Sequence, residues 1–365
     1  MRIGDVYAER SERGAEDMEL LSVTMNDGVK MRSDIEGKDN SSEDKSNYKI
    51  VRAGDMVYNS MRMWQGANGI SPWDGIVSPA YTVLKPRMSI SNGFFAALFK
   101  THRLINEFRK NSQGMTSDTW NLKYPQIETI KTCIPVLAEQ EKIADFLIAL
   151  DQRIEKQRTL VEHLKKYKRG LLSVVFSREL SFSDGQWISK PFAEIAHLGK
   201  KRYTPSPNES KPCIELEHIE QLTGRLLGSV NSSEQNSQKS AFEKGDVLFG
   251  KLRPYLKKYA LPDFEGVCST EIWVFKPTEW ITSEFLYYLV QSEGFINAAN
   301  ISSGTKMPRA EWSKVASTVF FLPNIEDQTK IVNLLMKIDK KINTESMLLE
   351  KLEQFKKASL QKLFV

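Results

Sequence analysis

Few residues of this chain are grouped as chemistry would require, and those that are look like nucleic-acid readers rather than catalysts. The stretch Gly250–Tyr259, GKLRPYLKKY, sets Lys251, Arg253, Lys257 and Lys258 beside Tyr255 and Tyr259. The matching stretch in the first half of the chain carries Arg62, Met63, Trp64 and Gln65. An arginine fork can hold a guanine edge, glutamine can hold an adenine edge, and lysine mostly holds phosphate. A second pair of stretches has a glycine ahead of small hydroxyls. Ser302–Trp312, SSGTKMPRAEW, supplies Thr305, Lys306 and Arg309, and its counterpart Ser112–Trp120, SQGMTSDTW, supplies Gln113, Thr116 and Ser117. Such a loop can enter a groove. Each of these residues also has a plainer reading as a solvated surface turn.

The sets that catalysis needs are missing from the sequence. There is no G-x-G-x-x-G fingerprint and no G-x-x-x-x-G-K-[ST] phosphate loop. No Asn/Asp-Pro-Pro-aromatic signature for amino methylation of bases occurs, and no G-x-S-x-G elbow. No well-spaced acidic-plus-lysine set of the nuclease kind is found, and Glu36-Gly37-Lys38 reads as polar loop. His102, His163, His197 and His218 stand apart, with His163 on the solvated face of a long helix, so no metal site is expected. Cys133, Cys213 and Cys268 are odd in number and widely spaced, which argues against a disulfide framework or a cysteine zinc site.

The elements that must position the candidate readers are stored twice. Ile134–Phe176 and Leu322–Phe364 align without a gap, with about thirteen identities in roughly forty positions. Among them are Pro135/Pro323, Gln140/Gln328, Asp151/Asp339 and Lys168/Lys356. Apolar residues recur at steps of four and three, through Ile143, Leu147, Leu150, Ile154, Val161, Leu164 and Leu171, then Ile331, Leu335, Ile338, Ile342, Leu349 and Leu352. This is a coiled-coil seam. It is interrupted at matching places by Gln157 and Glu345, then Lys168 and Lys356, residues expected to face one another or one partner surface. Each helix is expected to open at its proline. A long amphipathic helix needs its stripe covered, and the mate at hand is the other copy, antiparallel.

The duplication extends into the parts before each helix. Gly54–Pro86 and Gly245–Pro277 also align without a gap, pairing Gly54/Gly245, Asp55/Asp246, Arg62/Arg253 and Gly75/Gly266. Short β-prone runs at 56–58, 81–84, 247–249, 271–275 and 319–322 and helical spacing at 94–100 and 283–291 make these parts mostly β with a few helices. The Ser/Asn/Gln-rich stretches 40–45 and 229–240 read as mobile loops. The expected fold class is therefore α+β: two mostly-β, mixed parts at 1–133 and 177–321, joined by two long antiparallel coiled-coil helices at 134–176 and 322–365, in a pseudo-twofold internal repeat. The copies agree in framework and differ in the candidate contact residues, as expected if each half reads its own base sequence.

The bulk properties agree with this. The chain has 365 residues, with 41% hydrophobic and 27% charged residues, which suits a folded protein of two or three domains. The net charge of +5 permits nucleic-acid binding without demanding it. No apolar run spans a membrane, and the N-terminal MRIGDVYAERSERG lacks the apolar core of a signal peptide, so a cytoplasmic protein without a membrane partner is expected.

On these residues the chain resembles the specificity subunits of type I restriction–modification systems, over essentially its whole length. IPVLAEQEKIADFLIALDQRI and LPNIEDQTKIVNLLMKIDKKI are similar to the two starts of that family's helical regions, and KGDVLFGKLRPYLKK and SSGTKMPRAEW to recurring frames of its recognition domains. The resemblance implies two target recognition domains, each reading half of a bipartite double-stranded DNA site. It implies that the helix pair sets the gap and docks two methyltransferase subunits. S-adenosylmethionine would sit on those subunits, and ATP and Mg on the restriction/motor subunits, with no cofactor on this chain and no catalysis by it. The chain begins almost directly with the first recognition domain, without the longer leader of some members. Two modules reading one face of B-DNA sit about one turn, roughly 34 Å, apart. Two rivals remain: a coiled-coil scaffold that never binds specific DNA, and a recognition chain fused to its own methyltransferase or nuclease, which lacks the motifs.

Overall fold

The computed structural model describes residues 1–14, 17–25, 28–37, 41–179, 187–303 and 307–364. The chain divides into two compact units, one of Met1–Thr159 with Met347–Val365 and one of Leu160–Ser346. Two helices run through both, Leu137–Phe176 and Ile325–Leu363.

Each unit is built on the same four-stranded antiparallel sheet. In the first the order is Tyr7–Glu9, Tyr81–Pro86, Met56–Asn59, Asn68–Ile70. In the second it is Ala196–Leu198, Ile272–Pro277, Val247–Gly250, Tyr259–Ala260. The central strands are the duplicated runs MVY and VLF. They are apolar on both faces because both faces are covered. Met56, Tyr58 and Leu84 face a core of Phe94, Phe95, Phe99 and Phe108 from the helices, while Val57 and Val83 face a second layer with Leu21, Val29 and Val77. The second unit alternates in the same way: Val247, Phe249 and Phe275 meet Phe285 and Phe295, and Leu248 and Val274 meet Ile214 and Phe242.

The shared Gly-Asp pair opens this central strand. Gly54 and Gly245 take φ of +94° and +92°, a backbone that glycine adopts without a steric penalty. The aspartate that follows is buried, and its carboxylate accepts the N–H three residues back: Arg52 to Asp55 and Glu243 to Asp246, both at 2.8 Å. A buried carboxylate needs a cation. Arg10 supplies it in the first unit at 2.7 Å, Lys276 in the second at 3.0 Å. The hydrogen bond to Asp55 holds the Arg10 pKa above its usual value.

The expectation of a loop at 229–240 is corrected. A strand at Val230–Asn231, a 3-10 turn at Ser232–Glu234 and a strand Lys239–Phe242 occupy it, the last paired with Gly266–Ser269. Polar composition misleads here because the polar groups are satisfied inside. Ser232 Oγ accepts from the Lys211 N–H at 2.9 Å, and buried Lys239 meets Glu215 at 2.5 Å.

The long helices begin just beyond the position expected. Pro135 and Pro323 precede the first helical turn instead of entering it. The glutamine shared by the two copies explains why. Gln140 Nε2 donates to the Pro135 carbonyl at 2.9 Å while its Oε1 accepts the Ser91 N–H at 3.1 Å. Gln328 repeats this with Pro323 at 3.0 Å and Thr282 N–H at 3.0 Å, and also reaches the Trp280 carbonyl at 2.8 Å. Both amides are buried. Ser91 and Thr282 cap the short helices Asn92–Leu98 and Ser283–Leu289, so each amide clamps a long helix to its unit. Asn324 caps the second long helix, its Oδ1 accepting the Asp327 N–H at 2.9 Å.

Within each unit the two long helices run antiparallel. In the first, Lys356 pairs with Asp151, Arg158 meets Glu353 at 2.9 Å, and Phe364 packs with Phe94 near the opposite helix start. In the second, Lys168 meets Asp339 at 2.7 Å, and Leu172 and Val175 share a core with Ile331 and Leu335. No helix among the described residues is long and apolar enough to cross a membrane.

Candidate nucleic-acid interface

The candidate readers of the first unit lie just beyond the strand Met56–Asn59. The chain turns through a 3-10 helix, Met63–Gln65, preceded by Arg62 and closed by Gly66 at φ +89°. Met63 is buried and anchors the turn, while Arg62 is exposed and Trp64 and Gln65 are half-buried. Trp64 Nε1 donates to the Met61 carbonyl at 3.1 Å. Its ring meets Trp120 edge to face at 5.2 Å, and the Arg109 guanidinium lies 5.5 Å from the Trp120 ring centre. This ties the turn to the second candidate segment. That segment is closed by two backbone bonds between Gln113 and Asn121, at 2.9 and 2.8 Å, and narrowed by the Thr119 N–H bond to the Thr116 carbonyl at 2.9 Å. Gln113, Thr116 and Ser117 are exposed, and Met115 at the tip is 99% exposed. The two candidate stretches of the first unit, read separately from the sequence, thus lie side by side.

The second unit repeats the arrangement with different residues. Its 3-10 helix is Pro254–Leu256, flanked by Arg253 at φ +52° and Lys257 at φ +50°. Pro254 is buried at the first helical position, where its missing N–H costs nothing. The Arg253 N–H donates to the Pro308 carbonyl at 2.8 Å and the Ala310 N–H to the Lys251 carbonyl at 2.9 Å, so here too the segment before the tryptophan lies beside the turn. Arg62 corresponds to Arg253, Trp64 to Tyr255 and Gly66 to Lys257. Left-handed backbone costs a non-glycine residue about 1–2 kcal/mol. The first unit avoids that cost with Gly66, whereas the second accepts it twice. A third instance touches the same turn: Leu222, at φ +67°, donates its N–H to the Lys257 carbonyl at 3.1 Å. Only one other non-glycine residue with positive φ, Arg178, occurs among the described residues.

The side chains sort by their partners. Arg62 and Arg253 are exposed, and among the described residues neither guanidinium has an ion pair or hydrogen bond; the half-buried Lys251 and Lys257 ammonium groups have none either. Lys258 differs: its ammonium donates to the Leu216 carbonyl at 2.5 Å, and burial lowers its pKa. Arg309 is engaged by Glu271 at 2.9 Å. Thr305 and Lys306 lie outside the described residues. Sequence reasoning missed Leu222 and did not single out Tyr255 as a reader. Both are exposed at the turn, and Tyr255 has no ring or hydrogen-bond partner among the described residues.

The residues named for the helix seam fall on inward positions. Leu147, Leu150, Ile154, Ile331, Leu335 and Ile342 are buried, and Ile143, Leu164, Ile338 and Leu352 half-buried. The interruptions Gln157, Glu345 and Lys168 are buried as well. No group of three or more His, Cys, Asp or Glu that could hold a metal ion occurs among the described residues.

Comparison with known proteins identifies the scaffold. The type I restriction modification DNA specificity domain matches residues 23–164 and again 185–354, one copy in each half. The chain is 22% identical over 264 residues to the type I restriction enzyme EcoDI specificity subunit of Escherichia coli, covering 62% of this chain and 59% of that protein, and so spans less than two thirds of that relative. It is 23% identical to the MjaVIII specificity subunit of Methanocaldococcus jannaschii, covering 84% of this chain and 77% of that one. Among solved structures, the HsdS subunit from Thermoanaerobacter tengcongensis is similar in fold, with a TM-score of 0.53 at 16% identity, covering 100% of this chain and 95% of that one. A chain from a structure of type I R-M complex assembly gives a TM-score of 0.60 at 15% identity, with 100% and 96% covered. With the domain matched in both halves, the chain belongs to the type I restriction modification DNA specificity domain family.

Proposed function

We propose that this chain is the non-catalytic, sequence-reading subunit of a type I restriction–modification complex. Each globular part, 1–133 and 177–321, reads half of a bipartite double-stranded DNA target. The observation that carries this is the contrast between scaffold and turn. Both units keep the sheet, the Gly-Asp turn, the 3-10 helix with the arginine before it and the glutamine clamp, while the other residues on the turn and its neighbouring segment differ. A duplicated frame with diverged tips suits two half-sites of different sequence.

Arg62 and Arg253 are the first candidates for base edges, because they are exposed and, among the described residues, have no ion pair or side-chain hydrogen bond. Gln65, Gln113, Thr116 and Ser117 can complete the first unit's contacts, with Trp64 supporting its turn. Lys251 and Lys257 serve the second, together with Thr305 and Lys306 from its neighbouring segment. Lys258 and Arg309 would be spent on the protein's own Leu216 and Glu271 unless DNA displaces those partners. The paired helices set the gap and dock two methyltransferase subunits, which carry S-adenosylmethionine. Restriction/motor subunits add ATP-driven, Mg-dependent steps. The complex works on DNA in the cytoplasm, which agrees with three free thiols.

Co-expression with the methyltransferase subunit, followed by genome-wide mapping of methylated adenines, tests this. One bipartite motif with a fixed gap is expected, and its absence from an assembled complex would refute the reading. Binding of the purified complex to duplex should also fall steeply with salt, as phosphate contacts release counterions.

A further inference from the structure

The two units fill one place differently, where the short helix after the sheet meets the long helices. In the second unit Tyr288, on the helix Ser283–Leu289, is buried there. Its hydroxyl donates to Asp339 Oδ2 at 2.8 Å. The Lys168 ammonium pairs with Asp339 at 2.7 Å and lies 5.4 Å from the centre of the Tyr288 ring. Tyr287 packs against the same ring edge to face at 5.1 Å.

The charged members of this arrangement recur in the first unit, and the rings do not. The helices Asn92–Leu98 and Ser283–Leu289 align without a gap from their caps Ser91 and Thr282, which sets Ala96 against Tyr287 and Ala97 against Tyr288. Asp151 corresponds to Asp339 and Lys356 to Lys168, and these two also pair. In place of the rings the first unit has a cavity of about 440 Å³, within the range of small-molecule sites. Ala96, Ala97, Leu147 and Leu360 give it apolar walls, and Asp151 and Lys356 line it as well. The ion pair is correspondingly bare. The Asp151 and Lys356 side chains are 53% and 34% exposed, against 23% and 9% for Asp339 and Lys168. The pocket thus offers what holds a phenol in the second unit: apolar walls, an acceptor for the hydroxyl and a cation beside the ring.

We infer that this pocket of the first unit binds a phenol ring from outside the chain, with its hydroxyl on Asp151 and its ring beside Lys356, as Tyr288 is held in the second. The probe is p-cresol, the tyrosine side chain as a free molecule, which at pH 7 keeps its proton and can donate it. Its binding to the full chain is titrated by ligand-observed NMR, with toluene as the ring lacking a hydroxyl. Saturable binding of p-cresol is expected. Asp151→Asn replaces a charged acceptor by a neutral one, and should weaken p-cresol by about five- to tenfold while leaving toluene unchanged. Ala97→Tyr supplies the ring from within, and should abolish p-cresol binding while the melting temperature holds or rises. If Ala97→Tyr does not fold, the Asp151→Asn comparison decides by itself.

Three results overturn the inference. One is no saturable p-cresol binding, which would also follow if residues 26–27, outside the described residues, took the pocket. The second is equal weakening of p-cresol and toluene by Asp151→Asn. The third is p-cresol binding that survives in folded Ala97→Tyr. Repeating the titration on the complex with the methyltransferase subunit separates two sources of the ring. Loss of the probe there, with weaker assembly of Ala97→Tyr, marks a tyrosine of that subunit; unchanged binding marks a small soluble phenol. The pocket stands in both cases. Only this last arm rests on the chain being a specificity subunit, so a failure to assemble counts against that reading and not against the pocket.

Discussion

A thiol, a lysine or an arginine means little in this sequence until its neighbours are known. Cys213 and Cys268 lie buried on adjacent strands, and burial pushes the Cys213 thiol up to about 11 and the Cys268 thiol higher still. Cys133 is exposed. An alkylating reagent at pH 8 should therefore label Cys133 in the folded chain and the other two only after denaturation, as read by mass spectrometry. The same dependence on neighbours limited what could be read about the interface. The cations and their aromatic companions were legible from spacing. That Lys258 is tied to Leu216, or Arg309 to Glu271, depends on partners tens of residues away. Leu222 was invisible for another reason: leucine is a poor left-handed residue, so its type gives no hint of the conformation it holds.

At the level of elements, the period of the apolar residues gave the two long helices and their inward faces, because a seam of this length leaves one pattern to satisfy. The interruptions were expected to face one another or one partner surface, and for the two lysines this is corrected. Shared aspartates and shared lysines turn out to be each other's partners: Lys168 with Asp339, and Lys356 with Asp151. This reciprocity follows from antiparallel packing of two copies of one sequence. The Lys168 pair is the more enclosed, and Asp339 Oδ2 also accepts from the Tyr288 hydroxyl at 2.8 Å. Lys168→Met should destabilise the chain by about 1–3 kcal/mol in urea denaturation, since it leaves a partly buried carboxylate without its cation. In a double-mutant cycle with Asp339→Asn the pair should couple by about 1 kcal/mol, and additive losses would show that the two side chains do not interact. Helix starts and the strand at 239–242 were harder to read. The clamp on Pro135 and the burial of Lys239 depend on groups that only folding brings near.

At the level of the whole molecule the duplication itself was legible, and the separate roles of scaffold and tip came from comparing the copies. Exchanging residues 1–133 for another recognition module should change one half-site and leave the other intact, as read from the methylated motif. Inserting one heptad into both long helices should lengthen the gap while preserving both half-sequences. A motif altered in its half-sequences would refute the role given to the helices.

The glutamine clamps bear on how such a chain could change over evolution. Gln140 and Gln328 hold only main-chain atoms: the N–H of Ser91 or Thr282 and the carbonyls of Pro135, Pro323 and Trp280. Any incoming residue except proline presents the same amide at the Ser91 or Thr282 position. These clamps are thus indifferent to which side chain is plugged in at that position, so a foreign module recombined into either socket would keep them. What it would have to match is the side-chain packing beside them, Phe94 on Phe364 in one and Tyr288 on Asp339 in the other.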